Sequence, residues 1–187
     1  IVGLIPIDLK NQLNLRLNGD ERILDLLGNL TNDNFTFNSG DANLRMIISG
    51  NLDKPIANGF FFLRDGNLQV FDNSLKDINS TIIFDFDQLD IIDFSAKNND
   101  SGSLFLSGAL PFYNKSEENT YINFITSDFR LIGKNFDFIF NSNIKVNNSF
   151  LSPLIEGEIK LSNGYFDFKG NNKEDNTITN NKQQNDL

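Results

Sequence analysis

The sequence predicts an all-β chain of antiparallel strands. Three observations carry that expectation. Apolar side chains recur at every second position through most of the chain, turn-forming residues punctuate these stretches, and only one segment spaces its apolar residues as a helix would.

The alternation begins at Leu13, Leu15 and Leu17, interleaved with Asn14 and Arg16. It continues through Leu44, Met46 and Ile48, then through Ile82, Phe84 and Phe86, separated by Ile83 and Asp85. Leu104 and Leu106 follow, and later Ile122 with Phe124, and Phe136, Phe138 and Phe140, separated by Asp137 and Ile139. Ile159 with Leu161 and Phe166 with Phe168 complete the series. Successive strand side chains point to opposite faces, so each set lines one side of a sheet. The turn signals are Asn38-Ser39-Gly40, Asp65-Gly66, the run Asn98-Asn99-Asp100-Ser101-Gly102, and Asn163-Gly164. They divide the chain into about a dozen short strands of five or six residues, each roughly 17–20 Å long. The one helical stretch starts near Asn18 as a cap, with Glu21 three residues on, and ends at Gly28; Ile23, Leu24, Leu27 and Leu30 share a face. It is too short to cover the sheet. An apolar sheet face must be buried against something, so the sheet is expected to fold on itself as a sandwich, barrel, solenoid or curled trough.

Composition narrows the function. The 187 residues suffice for one domain or a slice of something longer. Hydrophobic content is low at 39%, yet 19 residues are Phe, so burial is concentrated on one face. The net charge of −9, without a Lys/Arg cluster, argues against nucleic acid and against docking on an anionic bilayer surface. The absence of Cys removes disulfides and thiolate metal sites; the absence of His removes imidazole triads and the commonest metal ligand. No apolar run approaches the ~20 residues of a spanning helix. Ile1-Val2-Gly3-Leu4-Ile5 lacks the flank and core of a signal peptide, so the chain reads as an excised segment. Residues 1–169 are expected to form the sheet. From Gly170 the composition turns polar, with Ile178 the one apolar residue between Asn171 and Asp186, and residues 170–187 are expected to be a disordered tail or linker.

Three candidate chemistries reduce to structure. Asp85, Asp87, Asp90 and Asp93 are the densest acidic group, but they interleave with Phe84 and Phe86 and lack the spacing of a calcium loop. Gly102 to Gly108 is a strand between turns and not a phosphate-binding loop. Triplets such as Asn79-Ser80-Thr81 arise by chance in an Asn-rich chain.

A pattern recurs at a constant 98-residue offset: Pro55-Ile56, Gly59, Leu63 and Asp65-Gly66 return as Pro153-Leu154, Gly157, Leu161 and Asn163-Gly164. Pro suits a strand start, Gly a bend or bulge, and Asp-Gly or Asn-Gly a tight hairpin. In order along the chain, Asn18-Gly19-Asp20-Glu21-Arg22-Ile23-Leu24-Asp25-Leu26-Leu27, Ile48-Ser49-Gly50, Pro55, Asp65-Gly66, Ser107-Gly108-Ala109-Leu110-Pro111 and Leu151-Ser152-Pro153-Leu154-Ile155-Glu156-Gly157 resemble the TamB family of AsmA-like envelope proteins, particularly its cyanobacterial branch. The likeness covers about residues 9–169; Asn and Phe replace many positions usually held by Gly, Gln or Val.

That resemblance implies an elongated, curled antiparallel sheet, a β-taco, with one short helix near its N-terminus and an apolar concave groove. It further implies a periplasmic, non-enzymatic protein without a cofactor, anchored in the inner membrane through a segment outside this chain. Its partners would be phospholipid acyl chains and a barrel protein of the outer-membrane assembly superfamily. The groove lining would then be Leu13, Leu15, Leu17, Leu44, Met46, Ile48, Ile82, Phe84, Phe86, Leu104, Leu106, Phe136, Phe138 and Phe140. Two other expectations stand beside it: a scaffold whose open edge pairs with nascent outer-membrane or secreted strands, and a closed β-sandwich surface module.

Overall fold

A computed structural model describes residues 2–4, 12–24, 34–51, 53–98, 102–113 and 120–167. Among the described residues, ten strands form one antiparallel sheet in chain order: β1 (Val2–Leu4), β2 (Leu13–Gly19), β3 (Phe35–Gly50), β4 (Pro55–Val70), β5 (Asn73–Phe86), β6 (Gln88–Asn98), β7 (Gly102–Pro111), β8 (Ile122–Gly133), β9 (Phe136–Asn148) and β10 (Pro153–Phe166). Each strand pairs with its neighbours in sequence, and β1 does not meet β10, so the curled sheet stays unclosed. The expected all-β, curled antiparallel architecture is the observed one. The tail beyond Asp167 lies outside the described residues.

The strands are fewer and longer than the turn signals suggest. From β3 onward they run 10–16 residues, because three expected turns lie inside strands. Asn38-Ser39-Gly40 belongs to β3, Asp65-Gly66 to β4 and Asn163-Gly164 to β10. Each coincides with a register shift, between Phe37 and Asp41, between Leu63 and Leu68, and between Leu161 and Asn163. These residues make bulges in place of hairpins. Asp65 takes the left-handed conformation in its bulge, as do Asp77 and Asp128 at the register shifts between Lys76 and Asn79 and between Thr126 and Phe129, with φ of 50°, 51° and 45°, which Asp tolerates better than most residues. Backbone groups displaced at a bulge need other partners, and short polar side chains supply them. Asn79 Oδ1 accepts from the Asp65 N–H at 3.3 Å, Asn141 Oδ1 accepts from the Asp128 N–H at 2.9 Å, and Ser162 Oγ donates to the Ile139 carbonyl at 3.0 Å. Turns between strands, among the described residues, include Asn51 with Asp53 and Lys54, Phe71-Asp72, Asp87, Lys134-Asn135 and residues 149–152.

Curvature comes from these bulges together with glycines at which neighbouring backbones come very close. At Gly59 and Gly108, a Cβ would fall on the carbonyl oxygens of Arg45 and Tyr121 in the adjacent segments.

The core lies along the fold of the trough. Ala42, Leu63, Ile78, Ala96, Leu104 and Phe129 come from six successive strands and pack with Leu24. Full burial of each large apolar side chain contributes roughly 1.5–3 kcal/mol. Leu24 belongs to the helical turn that begins at Arg22. Its cap is Asp20 and not Asn18, which lies in β2: Asp20 Oδ1 accepts from the Arg22 N–H at 3.2 Å, and the Asp20 carbonyl accepts from the Ile23 N–H at 2.9 Å. Gly28, Leu27 and Leu30 lie outside the described residues.

The Arg22 guanidinium bonds the Asp20 carboxylate at 2.6 Å and lowers its pKa from 3.8 to about 2. A depressed folded-state pKa means that this contribution to stability is present above about 3.8 and is lost as pH falls towards about 2. In an NMR titration Asp20 should therefore titrate below the ordinary aspartates, and most of the difference should be lost in Arg22→Ala, which removes the guanidinium but keeps the backbone N–H. A normal Asp20 titration in the native chain would contradict the capping geometry.

Side chains join β8 to β5 through Asn73 and to β6 through Asn98. The buried Asn73 amide donates to the Ile132 carbonyl at 2.8 Å and accepts from the Ile132 N–H at 2.7 Å, while Asn98 Oδ1 accepts from the Arg130 N–H at 2.9 Å. An amide side chain carries a carbonyl acceptor and an NH2 donor, so Asn73 can both accept and donate as a ladder rung does.

Candidate functional site: the apolar face of the trough

Directly opposed residues in an antiparallel pair share a face. The register therefore places the fourteen sequence-selected residues by arithmetic. Leu15 and Leu17 oppose Ile48 and Met46; Leu44 opposes Phe61, which opposes Ile82; Gly59 lies between Met46 and Phe84. Leu104 and Leu106 oppose Thr126 and Phe124; Phe124 opposes Ile144, and Phe140 opposes Phe129. All fourteen lie on the concave face. They are not equally available there. Leu13 and Leu104 are buried and fill the interior. Phe86, with φ of 56°, ends β5 at its turn and is 62% exposed. It stands at the rim, because the short connection to β6 turns the chain there, and it does not line the trough floor.

On the concave face, the accessible apolar surface is concentrated in two places. One is the inner face of β9 and β10. Phe136 and Phe138 stack with ring centroids 5.6 Å apart, Phe166 stacks on Phe136 at 6.4 Å, and Phe140 meets Phe129 edge-on at 5.6 Å. Beside them, inward-facing Ile155, Ile159, Leu161 and Phe166 of β10 are 48–65% exposed.

The other is a chamber of about 260 Å³, near the lower end of small-ligand pockets. It is lined by Met46, Ile48, Pro55, Ala57, Phe84, Leu89, Phe112, Phe150 and Leu151. The last three come from loops, which backbone bonds hold in place: Phe112 N–H donates to the Asp87 carbonyl at 2.7 Å, Phe150 N–H to Pro111 at 2.8 Å and Leu151 N–H to Phe112 at 3.0 Å. Because Phe150 and Leu151 precede β10 while Pro55 and Ala57 open β4, the chamber brings a late hairpin onto an early one. Alternation could not reveal the loop residues Phe112, Phe150 and Leu151. Phe94 and Phe124, which also face inward, do belong to alternating stretches, whereas inward-facing Phe61 sits in the unbroken run Phe60-Phe61-Phe62-Leu63.

Apolar character is not confined to the concave face. Ile47, Phe60, Ile83, Ile92, Phe105 and Ile125 point outward and are exposed. The register pairs Phe60 with Ile83 and Phe105 with Ile125, cross-strand contacts of the type that favours β-branched and aromatic residues on an outer face. Charged groups also lie outside. Arg130 holds Asp137 at 2.6 Å and lowers its pKa through that hydrogen bond. Asp85 and Asp93 are exposed, Asp90 accepts from Gln88 Nε2 at 2.7 Å, and Asp87 accepts from the Tyr113 hydroxyl at 3.3 Å. Among the described residues, no group of three or more acidic side chains could hold a metal ion, and no helix is long and apolar enough to cross a membrane.

The arrangement offers contact area for hydrocarbon and an open sheet edge. When the chain is compared with protein-family models, curated proteins and solved structures, none matches it.

Proposed function

We propose that this chain is a segment of a TamB-like envelope protein whose concave face receives phospholipid acyl chains as they pass between inner and outer membranes. No bond is made or broken; the driving force is removal of hydrocarbon from water along a continuous apolar track. The observation that carries this reading is the row of inward side chains on β10, left half to two-thirds exposed beside a stacked aromatic wall. An apolar surface of that kind on a soluble chain is the usual mark of an interaction site. The chamber under Phe112, Phe150 and Leu151 would take the end of an acyl chain. The wider setting, a periplasmic protein anchored in the inner membrane and working with an outer-membrane barrel, rests on the sequence resemblance.

The test places photocrosslinking residues singly at Phe84 and Ile159, which face inward, and at their neighbours Asp85 and Glu158, which face outward. Phospholipid should be captured at the first pair and hardly at the second. Native mass spectrometry of the purified chain should show retained phospholipid. Equal capture on both faces, or no lipid with either method, rejects the proposal.

A further inference from the structure

We propose that the chamber is a tail-first site for the methyl end of a single phospholipid acyl chain, and that Ala57 sets how far the chain enters. The inference rests on the acyl-chain reading above and adds an orientation and a depth to it.

The chamber has a floor and a mouth. Ala57 is 4% exposed, whereas Phe150 and Leu151 are 60% and 59% exposed. The mouth is well anchored. Pro111 and Ser149, the residues just before Phe112 and Phe150, are fully buried, and backbone bonds tie the two turns together. A ligand therefore enters past Phe150 and Leu151 and stops at Ala57.

The lining selects the chemistry. Every side chain bordering the chamber is apolar, and the N–H groups of Phe112, Phe150 and Leu151 already donate to other turns. A hydroxyl, an ester or a stretch of polypeptide would bury polar atoms there without partners, which opposes binding. A hydrocarbon end carries no such penalty. The volume of about 260 Å³ exceeds the roughly 150 Å³ of an apolar cavity that stays dry and admits benzene. It suits a short length of alkyl chain, with the ester and head group left outside the mouth.

The internal repeat points to Ala57 as the determinant. Gly50 opposes Pro55 as Asn148 opposes Pro153, and Met46 opposes Gly59 as Ile144 opposes Gly157. The β3–β4 and β9–β10 hairpins are thus two versions of one unit. Within it, Ile48 opposes Ala57 where Val146 opposes Ile155. The hairpin backbone accepts a β-branched residue at this position, and strands generally favour one over Ala. Strand formation therefore does not call for Ala57. Its small side chain leaves the space that the chamber floor occupies.

Met46 lines the chamber and is the only methionine in the chain, so methyl-labelled methionine gives one NMR signal inside it. The probe is lysophosphatidylcholine with a saturated dodecanoyl chain, added to the full chain below its micelle concentration. The Met46 methyl should shift saturably and show Overhauser contacts to the terminal methyl of the lipid, and none to methylenes beside the ester. A hydroxyl at the end of the same acyl chain should weaken binding roughly tenfold or more. Ala57→Ile, which copies the second hairpin, should weaken it about fourfold for each methylene displaced. Ala57→Val should weaken it less, and carries the same test if the larger side chain disturbs the hairpin. Photocrosslinked lipid at Ile159 should persist in both variants. Four results overturn the proposal: no saturable shift, contacts to the ester end, indifference to the hydroxyl, or unchanged affinity in both variants. Capture at Ile159 with a silent Met46 would remove the chamber site and leave the track standing, whereas loss of both would remove the track as well.

Discussion

Gly59→Val is expected to be the most damaging single substitution among the described residues, costing roughly 4 kcal/mol or more. Gly59 sits in the middle of β4 with φ of 151°, and its Cα faces the β3 backbone so closely that a Cβ would overlap the Arg45 carbonyl and the Met46 Cα. A flexible side chain could move aside, but a paired strand cannot without opening the β3–β4 ladder. Overpacking a close contact costs about 1–3 kcal/mol and holding an L-residue in a disfavoured backbone region about 1–3 more. Urea denaturation followed by circular dichroism should show a large fall in midpoint at unchanged slope. Ile125→Thr, on the exposed outer face of β8, should stay within about 0.5 kcal/mol and serves as the control. A Gly59→Val chain of native stability would show that the sheet is not coiled tightly at this point.

Asn73→Asp comes next, at roughly 2–4 kcal/mol near neutral pH. The substitution keeps an acceptor for the Ile132 N–H but replaces the donor to the Ile132 carbonyl with a carboxylate oxygen, at a position 6% exposed. A buried carbonyl left without its donor, and a charge placed against it, each carry a penalty of about 1–3 kcal/mol. The sign with pH is opposite to that at Asp20. Burial raises the folded-state pKa of the new carboxyl above its unfolded value, so the variant should recover stability as pH falls and the protonated acid can donate again. Hydrogen exchange at Ile132 should accelerate at neutral pH. Unchanged protection there would mean that β5 and β8 are held together by something other than this amide.

Both substitutions concern curvature, and curvature decides what the chain can do. A flat sheet with this alternation would expose its whole apolar face. Curling buries Leu13, Leu63, Ile78 and Leu104 and leaves accessible hydrocarbon at β9, β10 and the chamber. Among the described residues, the proposed acyl-chain track is most exposed on β10. The same strand carries Gly157, the counterpart of Gly59 one repeat later. A substituent at Gly157 would strike the Asn143 carbonyl, as one at Gly59 would strike the Arg45 carbonyl.

Two-residue periodicity made the strand content and facing legible, since the pleat converts sequence parity directly into sides. Met46, Phe84 and Phe138 could be assigned to one face without coordinates for that reason. Turn chemistry misled at Asp65-Gly66 and Asn163-Gly164, because a residue able to take positive φ serves a bulge as well as a hairpin. Only pairing partners decide between them. Ser39 and Asn67, which bond each other at 2.9 Å, and Asn79 show the decision being made by neighbours 28 and 14 residues away. The chamber was illegible for a related reason: Phe112 and Phe150 lie in loops that come together through backbone bonds between distant segments.

By itself the sequence determined that this protein is an antiparallel sheet with a greasy side, because alternation is a local property of the extended backbone. It also determined the repeat that makes β10 a second β4. Only the tertiary structure decided which part of that side is filled and which is open. Burial depends on how sharply bulges and glycines bend the sheet, which is set by long-range pairing that no local pattern encodes.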